Sequence, residues 1–343
     1  MMMRNAVLLI LMSVLVTTAS AQWYKTENDT AYVADYTRDL TVRLYGSRKY
    51  NYYDLKDSRL KKELLYRPNT GTNLGFGVNY KFVGLNIGIN FPFVNDHKSE
   101  FGDTKYIDLQ AHLYLRKFVV DFYGQYYEGY YQAERKPRAF NSAQQGLVAL
   151  RPDLENESLG LSVQYIFNDE RFSYRAAYLQ NEYQKRSAGS LMVGAEAFAW
   201  QMRADSALIP SDFGHPGFFD NEPFSRTGAV SLAVNIGYAH TFVILKHFFI
   251  TASLSAAGGI NHSGFRYGDG RPRMRAFGWQ LNNTVRFAAG YNSRRWFAGL
   301  HYVDITTRGA SPVAGAHQNF GAGNMRFSVA RRFSLKKPLI GKF

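Results

Sequence analysis

From Asn73 to Phe91 the sequence NLGFGVNYKFVGLNIGINF keeps a strict two-residue beat. Leu74, Phe76, Val78 and Tyr80 hold one parity against Asn73, Gly75, Gly77 and Asn79; after a break at 81–83, Leu85, Ile87, Ile89 and Phe91 resume it against Gly84, Asn86, Gly88 and Asn90. Successive side chains of a strand leave opposite faces, so this stretch is a hairpin with one wholly apolar face and one small, polar face. The pattern recurs too often along the chain for a soluble core to absorb it. Hydrocarbon outside and a polar lumen inside satisfies both faces.

Composition supports strands over helices as the spanning elements. Aromatic residues make up 16% of the chain, yet mean hydropathy is only -0.30. A helical span needs roughly 20 consecutive apolar residues. Past the first 21 residues the best runs are Thr241 to Leu245 and Phe248 to Ile250, interrupted by Lys246 and His247. Strands that give lipid only every second residue, with girdles of Tyr, Phe and Trp, account for aromatic richness without such runs. Cysteine is absent, which excludes disulfides, zinc-thiolate sites and thiol nucleophiles. The formal net charge of +14 is dispersed, with no basic helix or RNA-binding aromatic signature, so nucleic acid is not an expected partner. Anionic lipid head groups or acidic partners fit that charge better.

At the start, Arg4, the apolar run Ala6 to Val16 and Ala19-Ser20-Ala21 form the three regions of a secretory signal, with cleavage expected after Ala21. Three segments follow from this reading: a signal peptide at 1–21, a periplasmic lead-in at 22–39 and a barrel at 40–343. Export places the barrel in the outer membrane of a Gram-negative cell.

The expected strands begin at Leu40 to Leu44 and continue through the opening hairpin, Ile107 to Leu115 with Phe118 to Tyr127, and Leu159 to Phe167 with Phe172 to Tyr178. Val230 to Tyr238 with Ile250 to Ala256, Phe277 to Phe287 with Trp296 to Tyr302, and Met325 to Val329 complete the set. Asp54 to Arg67 and Glu128 to Glu157 read as loops, and Arg116-Lys117, Asn168 to Arg171 and Asn292 to Arg295 as turns. The count gives an up-and-down antiparallel barrel of twelve strands, even as common periplasmic termini require. Leu191 to Met202 is strand-like as well. It is assigned to an outer excursion from Lys185 to Phe224, with fourteen strands as the alternative.

At Tyr66 to Pro92 (YRPNTGTNLGFGVNYKFVGLNIGINFP), Gln184 to Ser190 (QKRSAGS) and the Ala-Gln junction behind the signal, the chain resembles an uncharacterised family of Bacteroidota outer-membrane β-barrels, the domain of unknown function 4421. The resemblance implies location and fold, and no reaction. Phe343 also resembles the terminal aromatic by which the outer-membrane assembly machinery recognises its clients.

Lumen parity selects the candidate lining residues: Arg43, Asp108, Gln110, His112, Asp121, Arg175, Arg286, His301 and Arg326. Lipid-facing Arg or Lys at mid-depth costs about 2 to 4 kcal/mol, so inward placement is nearly forced. These charges either make an electropositive passage or form an internal lattice that stiffens a narrow barrel. Inward His112, His301, Ser162, Ser231 and Ser253 do not suit a hydrolase that works on bilayer lipid, and no Gly-x-Ser-x-Gly elbow occurs. Histidines 240, 247, 262, 301 and 317 lack metal-ligand spacing. Neither catalysis nor a cofactor is expected. The leading expectation is a narrow passive or gated channel for small polar solutes; a closed barrel acting through its outer loops is the alternative, and a lipid-modifying enzyme the second alternative.

Overall fold

A computed structural model describes residues 28–80, 83–90, 98–133, 149–211 and 215–335. The signal peptide, Pro92 and Phe343 lie outside these residues. Fifteen strands are described: β1 Val33–Asp35, β2 Leu40–Asp57, β3 Lys62–Arg67, β4 Thr72–Tyr80, β5 Val83–Asn90, β6 Lys105–Tyr114, β7 Phe118–Ala133, β8 Leu150–Ile166, β9 Glu182–Gln184, β10 Ala188–Arg203, β11 Phe224–Ile244, β12 Phe248–Tyr267, β13 Met274–Asn292, β14 Trp296–Ala310 and β15 Ala316–Phe333.

The chain is all-β and closes on itself. Antiparallel neighbours run β2-β3-β7-β8-β10-β11-β12-β13-β14-β15, and β15 returns to β2 through Ala316↔Asp57 to Phe333↔Leu40. Returning the last strand to the first pairs an edge of each that would otherwise be open to aggregation. The end carrying Leu40 and Phe333 is called the terminal end here, and its opposite the far end.

Ten strands make the ring, where the alternation led to an expectation of twelve. Three differences account for this. First, β2 has two partners on one edge: β4 along Thr41 to Arg48, then β3 along Tyr53 to Asp57. The ring closes through β3 onto β7, while β4, β5 and β6 widen the wall at the terminal end. Asp54 to Arg67, expected as a loop, is therefore the end of β2, a turn and β3. Second, β10 is a full wall strand between β8 and β11, not part of an outer excursion. Third, Tyr174–Tyr178 is a short helix, not the partner of β8. The long loop expected at 128–157 is also shorter, since β7 runs on to Ala133 and β8 begins at Leu150.

Outward parity carries the apolar belt. Leu161 is 46% exposed, Val234 66% and Ile87 59%, and Leu254, Ile260, Leu281 and Phe327 share that outward exposure. Contiguous apolar surface on this scale is far beyond what a soluble monomer presents to water. Among the described residues no helix is long and apolar enough to cross a membrane.

The interior is layered. Toward the far end, inward Tyr53, Tyr66, Tyr127, Trp200, Phe224, Phe265 and Phe320 form one apolar cluster, closed over by Leu208, Phe218 and Phe219 from the β10–β11 connection. Toward the terminal end Tyr114, Val119, Ile166, Phe249 and Phe297 pack around the helix residues Tyr174, Ala177 and Tyr178. Buried polar side chains fill the level between, among them Gln164, Glu196, Asn235 and Asn282.

Candidate functional site

The segment between β8 and β10 enters the barrel from the terminal end and occupies its lumen. Ser173 starts the turn: its extended backbone and its Oγ, which accepts from Ala176 N at 3.1 Å, form a helix N-cap. The base is clamped as Asn168 Nδ2 donates to Gly189 O at 2.8 Å and its N–H donates to Ser190 Oγ at 2.9 Å. The segment leaves through β9, which pairs with β1, so the polar lead-in before the first wall strand is bound to the inserted segment.

Backbone carbonyls hold this plug to one arc of the wall, formed by β13, β14, β15 and β4. Asn79 Nδ2 donates to Leu179 O at 2.6 Å, His301 Nε2 to Ala177 O at 2.8 Å, and Asn292 Nδ2 to Ala176 O at 3.2 Å. Arg332 Nε donates to Gln180 O at 2.6 Å, and its Nη2 reaches Asn292 Oδ1 at 2.8 Å and Glu182 O at 3.3 Å. Side chains add Arg43 Nη1 to Gln180 Oε1 at 2.8 Å and Tyr174 Oη to Ser253 Oγ at 2.7 Å. Carbonyls left free at a helix end need donors, and here the wall supplies them.

Above the plug, charged groups cross the lumen. Arg286 on β13 pairs with Asp121 on β7, which also takes His112 Nδ1 at 2.6 Å. Arg286 further donates to Gln164 Oε1 at 3.4 Å. Glu196 accepts from Asn235 at 3.2 Å and also from Asn282. On β6, Asp108 takes Lys49 at 3.3 Å, Gln110 at 3.2 Å, Gln125 at 2.8 Å and Tyr127 at 2.6 Å. A void of about 10 Å³ bounded by Tyr123, Gln125, Phe198, Trp200 and Ile305 holds at most one water.

Of the nine residues selected by parity, Arg43, Asp108, Gln110, His112, Asp121, Arg286, His301 and Arg326 stand on wall strands and turn inward. Arg43, His301 and Arg326 end on the plug, with Arg326 reaching Tyr178 O at 3.4 Å. Arg175 is a correction: it belongs to the plug helix and pairs with Glu182 at 3.3 Å. Parity misplaced it because a helix cap at Ser173 changes the period. Arg332, Asn292 and Asn79, which hold the plug, and Gln180, the plug residue that Arg43 and Arg332 grip, are not among the nine. Arg332 and Asn292 sit at strand ends, where alternation has no length to register. Among the described residues no three His, Asp or Glu side chains are placed to hold a metal ion.

The far end forms an open cleft of about 290 Å³ lined by Lys56, Asp57, Lys61, Lys62, Arg308 and His317. Its floor is anchored by Asp57, which takes Arg59 Nη2 at 2.6 Å and Phe219 N at 3.1 Å, while Arg59 Nη1 reaches Asp220 at 2.7 Å. The Arg59 guanidinium, with three backbone N–H groups, lowers the Asp57 carboxyl to about 2 against its burial.

The sequence matches the family described as "Domain of unknown function (DUF4421)" over residues 27–333. No curated protein matches it. Among solved structures, the outer membrane protease OmpT from Escherichia coli aligns at 10% identity and a TM-score of 0.38, over 88% of this chain and 98% of that one. The outer-membrane expressed OmpT of Vibrio cholerae aligns at 10% identity and a TM-score of 0.26, over 84% and 98%. The P. putida toluene transporter TodX gives 8% identity and a TM-score of 0.20, over 87% and 91%.

Proposed function

Since the chain belongs to the DUF4421 family, a family named for its unknown function, we propose from its geometry that it is an outer-membrane barrel that rests shut and works through its far-end surface. The observation that carries this is the plug, fixed to β4, β13, β14 and β15 by carbonyl hydrogen bonds from Ala176, Ala177, Leu179 and Gln180. The apolar belt supports the membrane setting. In this reading a signal at 1–21 exports the chain, the assembly machinery inserts it with the terminal end toward the periplasm, and the basic far-end cleft faces outward. The reading involves no catalytic step. His112 and Asp121 make a dyad of the kind a hydrolase uses, but Arg286 also takes that carboxylate, which suits a structural lattice.

The gated channel keeps one observation in its favour: between the two apolar layers the lumen is lined by Gln164, Glu196, Asn235 and Asn282. A barrel with its plug withdrawn would offer small polar solutes a hydrogen-bonding path. Planar-bilayer conductance separates the two. The wild-type barrel is expected to be silent, and discrete conductance steps from it would overturn the closed reading. Steps seen only when Arg332→Ala loosens the plug would favour the gated channel.

A further inference from the structure

Four arginines stand together on the outside of the wall, just past the apolar belt at the far end. Arg226 on β11 lies directly opposite Arg266 on β12, at the point where a bulge after Phe224 shifts the register. Thr227 and Phe265, the next pair, are buried inward, so Arg226 and Arg266 face outward. Arg273, Arg226 and Arg275 all repel the charge on Arg266. Arg275 sits opposite Gly264 and two positions beyond Phe277, which is 81% exposed.

Like charges directly opposite one another destabilise a sheet. The neighbour on β10, Arg203, is opposite Arg226 and has its own carboxylate, Glu155. Beyond the turn, Arg271 is matched by Asp269 and Glu222. Arg226, Arg266, Arg273 and Arg275 have no ion-pair partner among the described residues. Four uncompensated guanidinium groups, bordered by paired arginines on both sides, are an anion site whose anion the chain does not provide. Guanidinium forks match phosphate oxygens in pairs. The exposed apolar side chains that run up to them, Ile260 on β12 and Trp279 with Phe277 on β13, are what acyl chains would cover. A bound group with a phosphate above and hydrocarbon below fits both halves of this surface.

We propose that these four arginines bind the phosphate headgroup of a lipid in the leaflet at the far end. The proposal rests on the membrane reading above, and its test separates the two. The full chain is reconstituted in phosphatidylcholine vesicles, and the selectivity for spin-labelled phosphatidic acid over spin-labelled phosphatidylcholine at the protein boundary is measured. The wild-type protein is expected to prefer phosphatidic acid. Replacing all four arginines by glutamine should lower that preference at least about fivefold, the factor for one basic side chain near an anionic surface. The four-lysine variant keeps the charge without the fork and should fall between. An inserted wild-type barrel without preference overturns the site and leaves the membrane reading standing. Unchanged preference in the glutamine variant also overturns it. Preference abolished by excess inorganic phosphate but kept in sodium chloride of the same ionic strength would make free phosphate the ligand and overturn the lipid assignment. Failure of the wild-type chain to enter any vesicle removes the membrane reading and this proposal with it.

Discussion

Arg286 and Asp121 face each other from strands half a ring apart, and their side chains, each 1% exposed, meet in the middle of the lumen. The pair is a strut across the barrel. Removing one member of a buried pair leaves an uncompensated charge and typically costs about 3 to 5 kcal/mol. Arg286→Met should therefore destabilise strongly, read as a fall in the urea midpoint of the folded barrel. Arg286→Met with Asp121→Leu should recover much of that loss, because a matched apolar pair has no charge to desolvate. Equal losses in the single and double variants would show that the two residues do not act as a pair.

Arg332 ties plug to wall, donating to Gln180 O and Glu182 O on the plug and to Asn292 Oδ1 and Ser293 O on the wall. Hydrogen bonds from a charged donor contribute about 1.5 to 3 kcal/mol each, and their loss strands buried carbonyls. Arg332→Ala is expected to raise amide exchange between Ser173 and Gln184 by at least about tenfold, the factor for 1.4 kcal/mol, with exchange in β11 to β13 unchanged. Equal protection of the segment in the variant would mean that its anchor lies elsewhere.

Alternation made the wall legible where the lumen is polar. Ser231, Asn235, Ser253, Asn282 and Thr284 keep a clean contrast with Val230, Leu254 and Leu281, so β11, β12 and β13 could be read directly. The contrast fails where the lumen is apolar. In β10 the inward residues Met192, Phe198, Trp200 and Met202 are apolar like the outward Leu191 and Val193, so the stretch reads as strand-like while its polar face, the mark of a wall strand, is largely missing. The plug deceives in the opposite sense. Phe172, Tyr174, Ala176 and Tyr178 alternate like a strand, although Tyr174, Ala176 and Tyr178 belong to a short helix inside the barrel. Ser173 followed by Ala176 was the available sign of a cap, and Arg175 with Glu182 the sign of a buried charge that finds its own partner.

Gly77 on β4 is needed for a close approach. A Cβ there would meet Arg43 Nε at 2.8 Å and would also press on Asn86 Oδ1 across the hairpin. Arg43 must lie over this glycine to reach Gln180 Oε1 at 2.8 Å. Gly77→Ala is expected to cost about 1 to 3 kcal/mol as overpacking, and to displace Arg43 from the plug. Amide exchange from Ala177 to Gln180 is expected to rise in Gly77→Ala as it does in Arg43→Ala, and no further when the two are combined. Unchanged exchange in Gly77→Ala would show that the glycine does not set the approach.

The far-end cap should respond to acid in one direction only. Phe219, Asp220 and Asn221 all take left-handed backbone, at φ of 50°, 56° and 57°, a conformation that each non-glycine residue adopts at a cost. Burial of Phe219 and the Asp57 carboxylate hold them there, Asp57 accepting from Phe219 N at 3.1 Å and from Arg59 at 2.6 Å. Because Arg59 lowers the folded Asp57 carboxyl to about 2, below its ordinary value of 3.8, folding favours the ionised form. That stabilisation is complete above the ordinary carboxylate pKa and is lost as pH falls from there through about 2. Amide exchange at 218–222, corrected for its intrinsic pH dependence, is expected to be flat from pH 7 to about 5 and to accelerate only as the carboxyl protonates. Asp57→Asn should expose the same segment at pH 7 and erase the acid response. An acid transition that survives in Asp57→Asn would assign the latch to a different group.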